Sequence, residues 1–275
     1  MGNDWEDTVK PFCYNPLIGA TTKDFNFFKA THRYLCFGTC SHLMILSELK
    51  YESGKIVGGY NNRTLYVNLS TNEIKIKPVT DGMKEKFIGG KGFDLWLMWN
   101  SLPKDKIVKW DDPENEICIA SGPLSGTSFI PGSGKSIVTT VSPLTGAIID
   151  SNVGGFFGPF LKFSGFDALE LQGKATEEVV LFIDGENEVI RLEKAESTTD
   201  YAFELTQELT KNYAPEDKPA DKYRVSVVSS GPGARHTNLG MLNFSWYTRP
   251  RDHASYKQAG RGGIGTVFKT RIFKH

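Results

Sequence analysis

The sequence predicts an α+β domain, and three observations predict it. Short alternating or β-branched runs recur along the chain, helical runs are few, and glycine-rich loops stand between them. No short-period repeat interrupts this texture.

Residues 1–56 stand apart as an N-terminal extension of unknown role, and residues 57–275 form the domain. The extension holds Cys13, Cys36 and Cys40 and is rich in aromatics, among them Phe25, Phe27, Phe28, Tyr34 and Phe37. Within it Ser41–Leu49 predicts a short helix, with His42, Leu43, Ile45 and Leu46 on a mixed apolar face. Beyond it Thr64–Leu69 (TLYVNL) alternates, Ser70–Asn72 turns and Glu73–Lys77 alternates again, which is a hairpin with Leu65, Val67 and Leu69 on one side. Met83–Phe87 is helical. Gly89–Gly92 breaks the chain and launches the apolar helical run Phe93–Leu102. Glu116–Ala120 is a short buried strand, Ser136–Val141 a β-branched one, and Ala147–Asp150 a third. Gly154–Phe163 stays open between helix and loop, because Pro159 sits where a long helix would kink. Ala168–Leu171, Val179–Ile183 and Glu188–Leu192 are strands, the last two joined by a turn at Asp184–Asn187. Thr199–Asn212 is an amphipathic helix with Phe203, Leu205 and Leu209 inward. Lys211–Lys222 is a solvated charged linker, Tyr223–Val228 a strand, and Gly265–Phe273 alternates as a last strand would.

Composition bounds the function. The 275 residues are 39% hydrophobic and carry 32 basic against 32 acidic side chains, a net charge of zero. Nucleic acid or an anionic membrane surface would call for a basic excess, so neither is expected as a partner. The start MGNDWEDTVK is polar and acidic rather than a secretory leader, and no apolar run approaches a membrane span. Four cysteines, unevenly spaced, make no disulfide framework. The expected setting is a reducing cytoplasm.

Two loops imitate nucleotide motifs. Pro131–Ser136 (PGSGKS) resembles the end of a phosphate-binding loop, but Phe129 stands where the first glycine belongs, and the following SIVTTV suits a strand rather than the required helix. Gly260–Gly265 (GRGGIG) fits the dinucleotide pattern, yet His253–Gln258 does not read as the strand that should precede it, and too little chain follows for a βαβ unit. Both are expected to be anion-cradling loops, since glycines admit backbone N–H groups close to a ligand and a neighbouring cation adds charge.

Set in order, eight segments form a pattern: Asn62–Thr71, Phe87–Gly92, Asp112–Asn115, Ser121–Thr127, Ser142–Gly146, Ser151–Gly155, Leu161–Ala168 and Ala259–Gly265. The series resembles the N-terminal domain of the aldehyde ferredoxin oxidoreductases over roughly residues 57–275. The resemblance implies two similar six-stranded sheets forming a saddle. A tungsten (or molybdenum) ion would sit above it, held by the dithiolenes of two pterins whose phosphates are bridged by Mg2+. It implies that Lys135 contacts one pterin on the side of a 4Fe-4S cluster, and that Asn152 and Gly154 contact pterin. Lys257, Gln258, Gly260 and Arg261 would serve the second pterin in the same way, and the backbone carbonyls of Asn152 and Gln258 would face magnesium. The chemistry of the residues agrees: glycine-loop N–H groups and cations suit clustered phosphates, magnesium takes remaining oxygens, and dithiolene sulfur removes the need for a protein ligand to tungsten.

Departures accompany the resemblance. Where the family carries arginine, this chain has Lys135 and Lys257, which keep the charge and lose the planar fork. Gly231–His236 (GPGARH) replaces an acid by a base, and Trp246–Asp252 is unlike the family. The cysteine motif for the cluster and the acid/base Glu and His of the later domains have no counterpart in these residues. No catalytic residue is therefore expected in this chain. The reading that follows is a bis-pterin-binding subunit or fragment of an enzyme oxidising aldehydes to carboxylates. A partner chain would carry the cluster and catalytic groups, ferredoxin would accept the electrons, and the chain could also self-associate. The alternative is a non-catalytic assembly or interaction protein that kept the fold and lost the cofactor. Cys13, Cys36 and Cys40 fit no standard cluster spacing, Cys118 belongs to the core, and His32, His42, His236, His253 and His275 form no metal spacing.

Overall fold

A computed structural model describes residues 44–127, 132–197, 199 and 201–272. Cys13, Cys36, Cys40, His32, His42, His275 and Phe129 lie outside the described residues. In chain order the strands are β1 (Ile45–Lys50), β2 (Arg63–Asn68), β3 (Glu73–Pro78), β4 (Glu116–Ala120), β5 (Ser136–Val141), β6 (Ile148–Val153), β7 (Ala168–Gln172), β8 (Val179–Asp184), β9 (Val189–Lys194), β10 (Val228–Ser229), β11 (Leu242–Thr248) and β12 (His253–Ala259). The helices are α1 (Asp81–Lys86), α2 (Lys91–Ser101), α3 (Phe157–Phe163), α4 (Ala202–Asn212), α5 (Pro219–Lys222) and α6 (Ile264–Ile272). The α+β class and the scarcity of long helices agree with the sequence. The strands divide differently from two equal sheets: among the described residues one six-stranded sheet runs β3-β2-β7-β4-β5-β6, and two three-stranded sheets run β1-β9-β8 and β10-β11-β12.

The large sheet has two unlike faces, as a period of two requires. Leu65, Leu169, Ile119 and Val138 lie in register across four strands. This apolar face joins Ile190 and Leu192 of β9, Leu242 and Phe244 of β11, and Ile264 and Val267 of α6 in one core. One residue along, the opposite face presents Tyr66, Glu170, Cys118, Thr139 and Asp150. Helix α2 covers that polar row: Phe93 packs with Ala120 and Ala168, Met98 with Cys118 and Val141, and Asp94 accepts a hydrogen bond from Thr139 Oγ1 at 2.9 Å.

Several expectations need correcting. Ile45–Lys50 is a strand rather than part of a helix, paired with β9 and tied by Arg191 Nε to Glu48 Oε2 at 2.8 Å. Tyr51, ahead of residue 57, packs into the core beside it. The final element is helix α6 rather than a strand, because Ile264, Val267, Phe268 and Arg271 fall on one helical stripe and are all buried. The apparent alternation there also contained Lys269 and Arg271, both buried; Arg271 donates to the carbonyls of Gly173, Trp110 and Asp112. Of Tyr223–Val228 only Val228 is strand, with the Val227 carbonyl accepting from Ser245 N beside it, because Tyr223, Arg224 and Val225 donate backward to Pro219, Asp221 and Lys222 in continuation of α5. On α4 Leu205 is buried with Thr206 and Thr210, while Phe203 is 50% exposed. Gln207 turns the helix that way by bonding both the N–H and the C=O of Ala254. The open stretch around Pro159 is α3, with the proline in the first turn, where a missing N–H breaks no helical bond.

Gly265 shows how closely α6 is seated. A Cβ there would lie 2.0 Å from the carbonyl oxygen of Met241, a backbone atom with nowhere to go. Gly265→Ala is expected to cost roughly 1–3 kcal/mol or more by overpacking, read as a lowered midpoint of denaturant unfolding.

Candidate functional site

Strand β6 ends one side of the six-stranded sheet, β12 ends the three-stranded sheet, and the two edge strands lie against each other. They finish alike: exposed Asn152 and buried Val153 close β6 and Gly154 follows it; exposed Gln258 and buried Ala259 close β12 and Gly260 follows it. An open cavity of about 520 Å³ is lined by Lys135, Asn152, Val153, Gly154, Gly155, Phe156, Trp246, Lys257 and Gln258. Five of the expected residues (Lys135, Asn152, Gly154, Lys257 and Gln258) thus meet at one hollow. Gly260 and Arg261 lie outside the lining, on the exposed turn that leads toward α6.

The ladders decide which backbone groups face outward. Ser142 N donates to Ala147 O, so this opposed pair is hydrogen-bonded. In an antiparallel ladder such pairs alternate with open ones. Counting along the register, Val138–Ser151 and Ser136–Val153 are hydrogen-bonded, and Ile137–Asn152 is open. On β12 both backbone groups of Ala254 bond the Gln207 side chain rather than β11. By the same alternation those of Gln258 also point away from β11. The backbone carbonyls of Asn152 and Gln258 therefore stand outside their ladders, on edge strands that meet.

The turn after β6 is held tightly. Gly155 has φ +94°, and a Cβ there would come within 2.9 Å of Phe244 O. Phe156 N donates to Ser245 O at 3.1 Å, which pins the mouth of α3 to β11. Lys257 lies with its stem across Gly154, where a Cβ would meet Lys257 Cγ at 3.5 Å, and its ammonium 5.7 Å from the Trp246 ring centre. Asp150, two residues before Asn152 on the same face, is neutralised by Lys91 at 2.6 Å. The lining carries two ammonium groups and two carboxamides, and among the described residues no carboxylate, cysteine or histidine. Such a donor set suits phosphate-type anions and offers no side-chain ligand for a transition metal.

Sequence reasoning missed Trp246, Phe156, Val153 and Gly155. Trp246 could have been found from the alternation of Leu242, Phe244 and Trp246 in what is now β11, and β12 was likewise unanticipated. Its presence changes the context of Gly260–Gly265: a strand does precede that loop and α6 follows it. The loop is nonetheless a packing device. Gly262 presses on Ile149 and Gly263 on Asn238 O, and Gly265 N, Thr266 N and Val267 N already donate to Gly240 and Gly263 carbonyls. These three N–H groups at the start of α6 are spent within the protein.

Taken together, the fold and the hollow define an α+β domain with an open, polar cavity where two sheet edges meet. Residues 64–274 match the family model described as "Aldehyde ferredoxin oxidoreductase, N-terminal domain", and the chain belongs to that family. It is 33% identical over 212 residues to the tungsten-containing aldehyde ferredoxin oxidoreductase of Pyrococcus furiosus, covering 77% of this chain and 32% of that protein. It is 34% identical over 216 residues to the enzyme of the same name from Pyrococcus abyssi, covering 78% and 32%. Among solved structures it resembles the active site complex BamBC of benzoyl coenzyme A reductase with 1,5-dienoyl-CoA, with a TM-score of 0.65, 27% identity, and 78% of this chain and 30% of that one covered. The chain spans about a third of the length of the relatives it matches.

Proposed function

We propose that this domain grips the phosphates of a bis-pterin tungsten (or molybdenum) cofactor in an aldehyde oxidoreductase whose remaining parts lie on further domains or a partner chain. The observation that carries the reading is the single cavity that gathers Lys135, Asn152, Gly154, Lys257 and Gln258. The lysines would neutralise phosphate oxygens through charge-assisted hydrogen bonds. The outward carbonyls of Asn152 and Gln258 would offer oxygen ligands to a bridging Mg2+, a cation that accepts one or two protein oxygens and keeps its waters. Gly260 and Arg261 belong to the reading as outer contacts to the second pterin. When bound, the cofactor would supply the oxidation of aldehyde to carboxylate, its dithiolene sulfurs serving as the metal's ligands. The protein contributes binding, orientation and charge. The 4Fe-4S cluster and the acid/base groups would come from the partner or the further domains, and ferredoxin would take the electrons. A cytoplasmic setting is part of the same proposal; no described helix is long and apolar enough to cross a membrane.

Tungsten or molybdenum near one per chain, with pterin, is the expected content of protein purified anaerobically together with its partner. Absence of both metal and pterin from that complex would sink the proposal and leave a fold kept for assembly. Asn152→Asp places a carboxylate beside the phosphates and is expected to lower pterin content. Lys135→Met should weaken uptake of inorganic pyrophosphate by roughly 10–100-fold, the worth of a hydrogen bond to a charged group, with the loss shrinking at high salt. Unchanged affinity, measured by titration calorimetry, would remove Lys135 from the site.

A further inference from the structure

We infer that Trp246 is a positioning residue, whose indole holds the Lys257 ammonium at the cavity and so sets how tightly an anion is gripped there. The inference rests on the reading of the cavity as an anion site, and concerns a side chain with no part in that reading. Lysine carries a compact charge on a flexible four-carbon stem, so its position must be imposed from outside. Two lining residues impose it. The register opposes Phe244 to Lys257 and Trp246 to Ser255, which makes Trp246 and Lys257 diagonal neighbours on one face of the β11–β12 pair, within reach of long side chains. The Nζ lies 5.7 Å from the indole centre, and tryptophan presents the most favourable aromatic face to a cation. On the other side the bare Cα of Gly154 leaves room for the lysine stem, with Cγ 3.5 Å from where a Cβ would stand. The indole is itself half-buried, and its strand is fixed between β10 and β12, so the platform is rigid where the lysine is not. Lys257 is thus clamped at two points of its length, between a ring and a glycine that both line the hollow.

The test uses the full chain with inorganic pyrophosphate as probe, in wild type, Trp246→Leu, Trp246→Phe, Lys257→Met and the Trp246→Leu/Lys257→Met double variant. Trp246→Leu keeps the apolar bulk and removes the ring face. It is expected to weaken pyrophosphate binding about 2- to 5-fold, Trp246→Phe should recover part of the loss, and the double variant should bind no more weakly than Lys257→Met alone. Wild-type affinity in Trp246→Leu, or the same loss in both lysine backgrounds, overturns the inference while leaving the anion site standing. No uptake by wild type overturns the anion site. In that event the clamp is decided without ligand, through the Trp246 emission obtained as wild type minus Trp246→Phe. Lys257→Met is expected to change its intensity or maximum, and unchanged emission overturns the clamp whatever pyrophosphate does.

Discussion

Lys162→Met is expected to destabilise the domain by about 3–5 kcal/mol, the cost of stranding a buried charge. Lys162 on α3 is 4% exposed and Asp167 is 1% exposed, with Nζ to Oδ1 at 2.6 Å. Burial pushes the Lys162 ammonium below its usual pKa and the Asp167 charge opposes that shift, so the pair stays ionic only as a pair. Asp167 also accepts the N–H groups of Asn61 at 3.1 Å and Asn62 at 2.8 Å, and Asn61 Nδ2 donates to Lys162 O at 2.8 Å. The pair therefore ties the entry to β2, with Asn62 in the left-handed region at φ 62°, to the helix that begins at the cavity wall. Methionine fits the stem and leaves the carboxylate with two backbone donors and no cation. Adding Asp167→Asn should return part of the loss, because the orphaned charge goes with it. Guanidinium unfolding checks both, and a single variant within 1 kcal/mol of wild type would refute the account.

Stability should also fall as pH rises from about 4.5 to about 7, and Glu116 is one reason. Burial, then the Glu170 charge, push the Glu116 carboxyl up to about 7 from an ordinary 4.5, against the hydrogen bonds from Ser101 and Cys118 and the Lys77 charge. Asp94, wholly buried under α2, is pushed upward too, first by burial. One oxygen of each finds no hydrogen-bond partner among the described residues. The sign follows from proton counting. Within that window the folded chain holds a proton on Glu116 that the unfolded chain has released, so each pH unit of rise favours unfolding. A gap of about 2.5 units between 4.5 and about 7 corresponds to about 3 kcal/mol, fully present below the lower limit and lost above the upper. Glu116→Gln should flatten the profile and be the more stable protein at about pH 8. Urea midpoints for both proteins between about pH 5 and about pH 8 decide it, and parallel profiles would exclude Glu116 as the titrating group.

Local chemistry made some of this fold legible and tertiary burial hid the rest. The β2–β3 hairpin announced itself because its turn residues and its Leu65–Val67–Leu69 alternation agree. Strand β5 did so because β-branched residues have little other use. Ile45–Leu49 and Gly265–Ile272 misled for a shared reason: short mixed runs satisfy both periods, and only the partner surface, β9 for one and the core beneath β11 for the other, selects between them. Phe203 misled because an apolar stripe was weighed without the Gln207 clamp on β12. For the cavity, the ordered motifs held Asn152 and Gly154 and the family resemblance added Lys135, Lys257 and Gln258, whereas Trp246 and Phe156 enter it only through strand register and a turn, which no linear spacing displays. Gly260 and Arg261 adjoin the site in sequence and stand outside its lining in space.

The pairings at the beginning of the chain reach far along it. Arg191 meets Glu48 across 143 residues, and Thr64 meets Glu170 across 106. Strand β1 cannot find its partner until β9 exists, and β2, although it closes a hairpin with β3 at once, leaves its other edge open until β7 follows, so a growing polypeptide must keep two sticky edges waiting. Loop-closure entropy is spent before those contacts return anything. Refolding in milliseconds to seconds, rather than microseconds, is the natural tempo of such wiring.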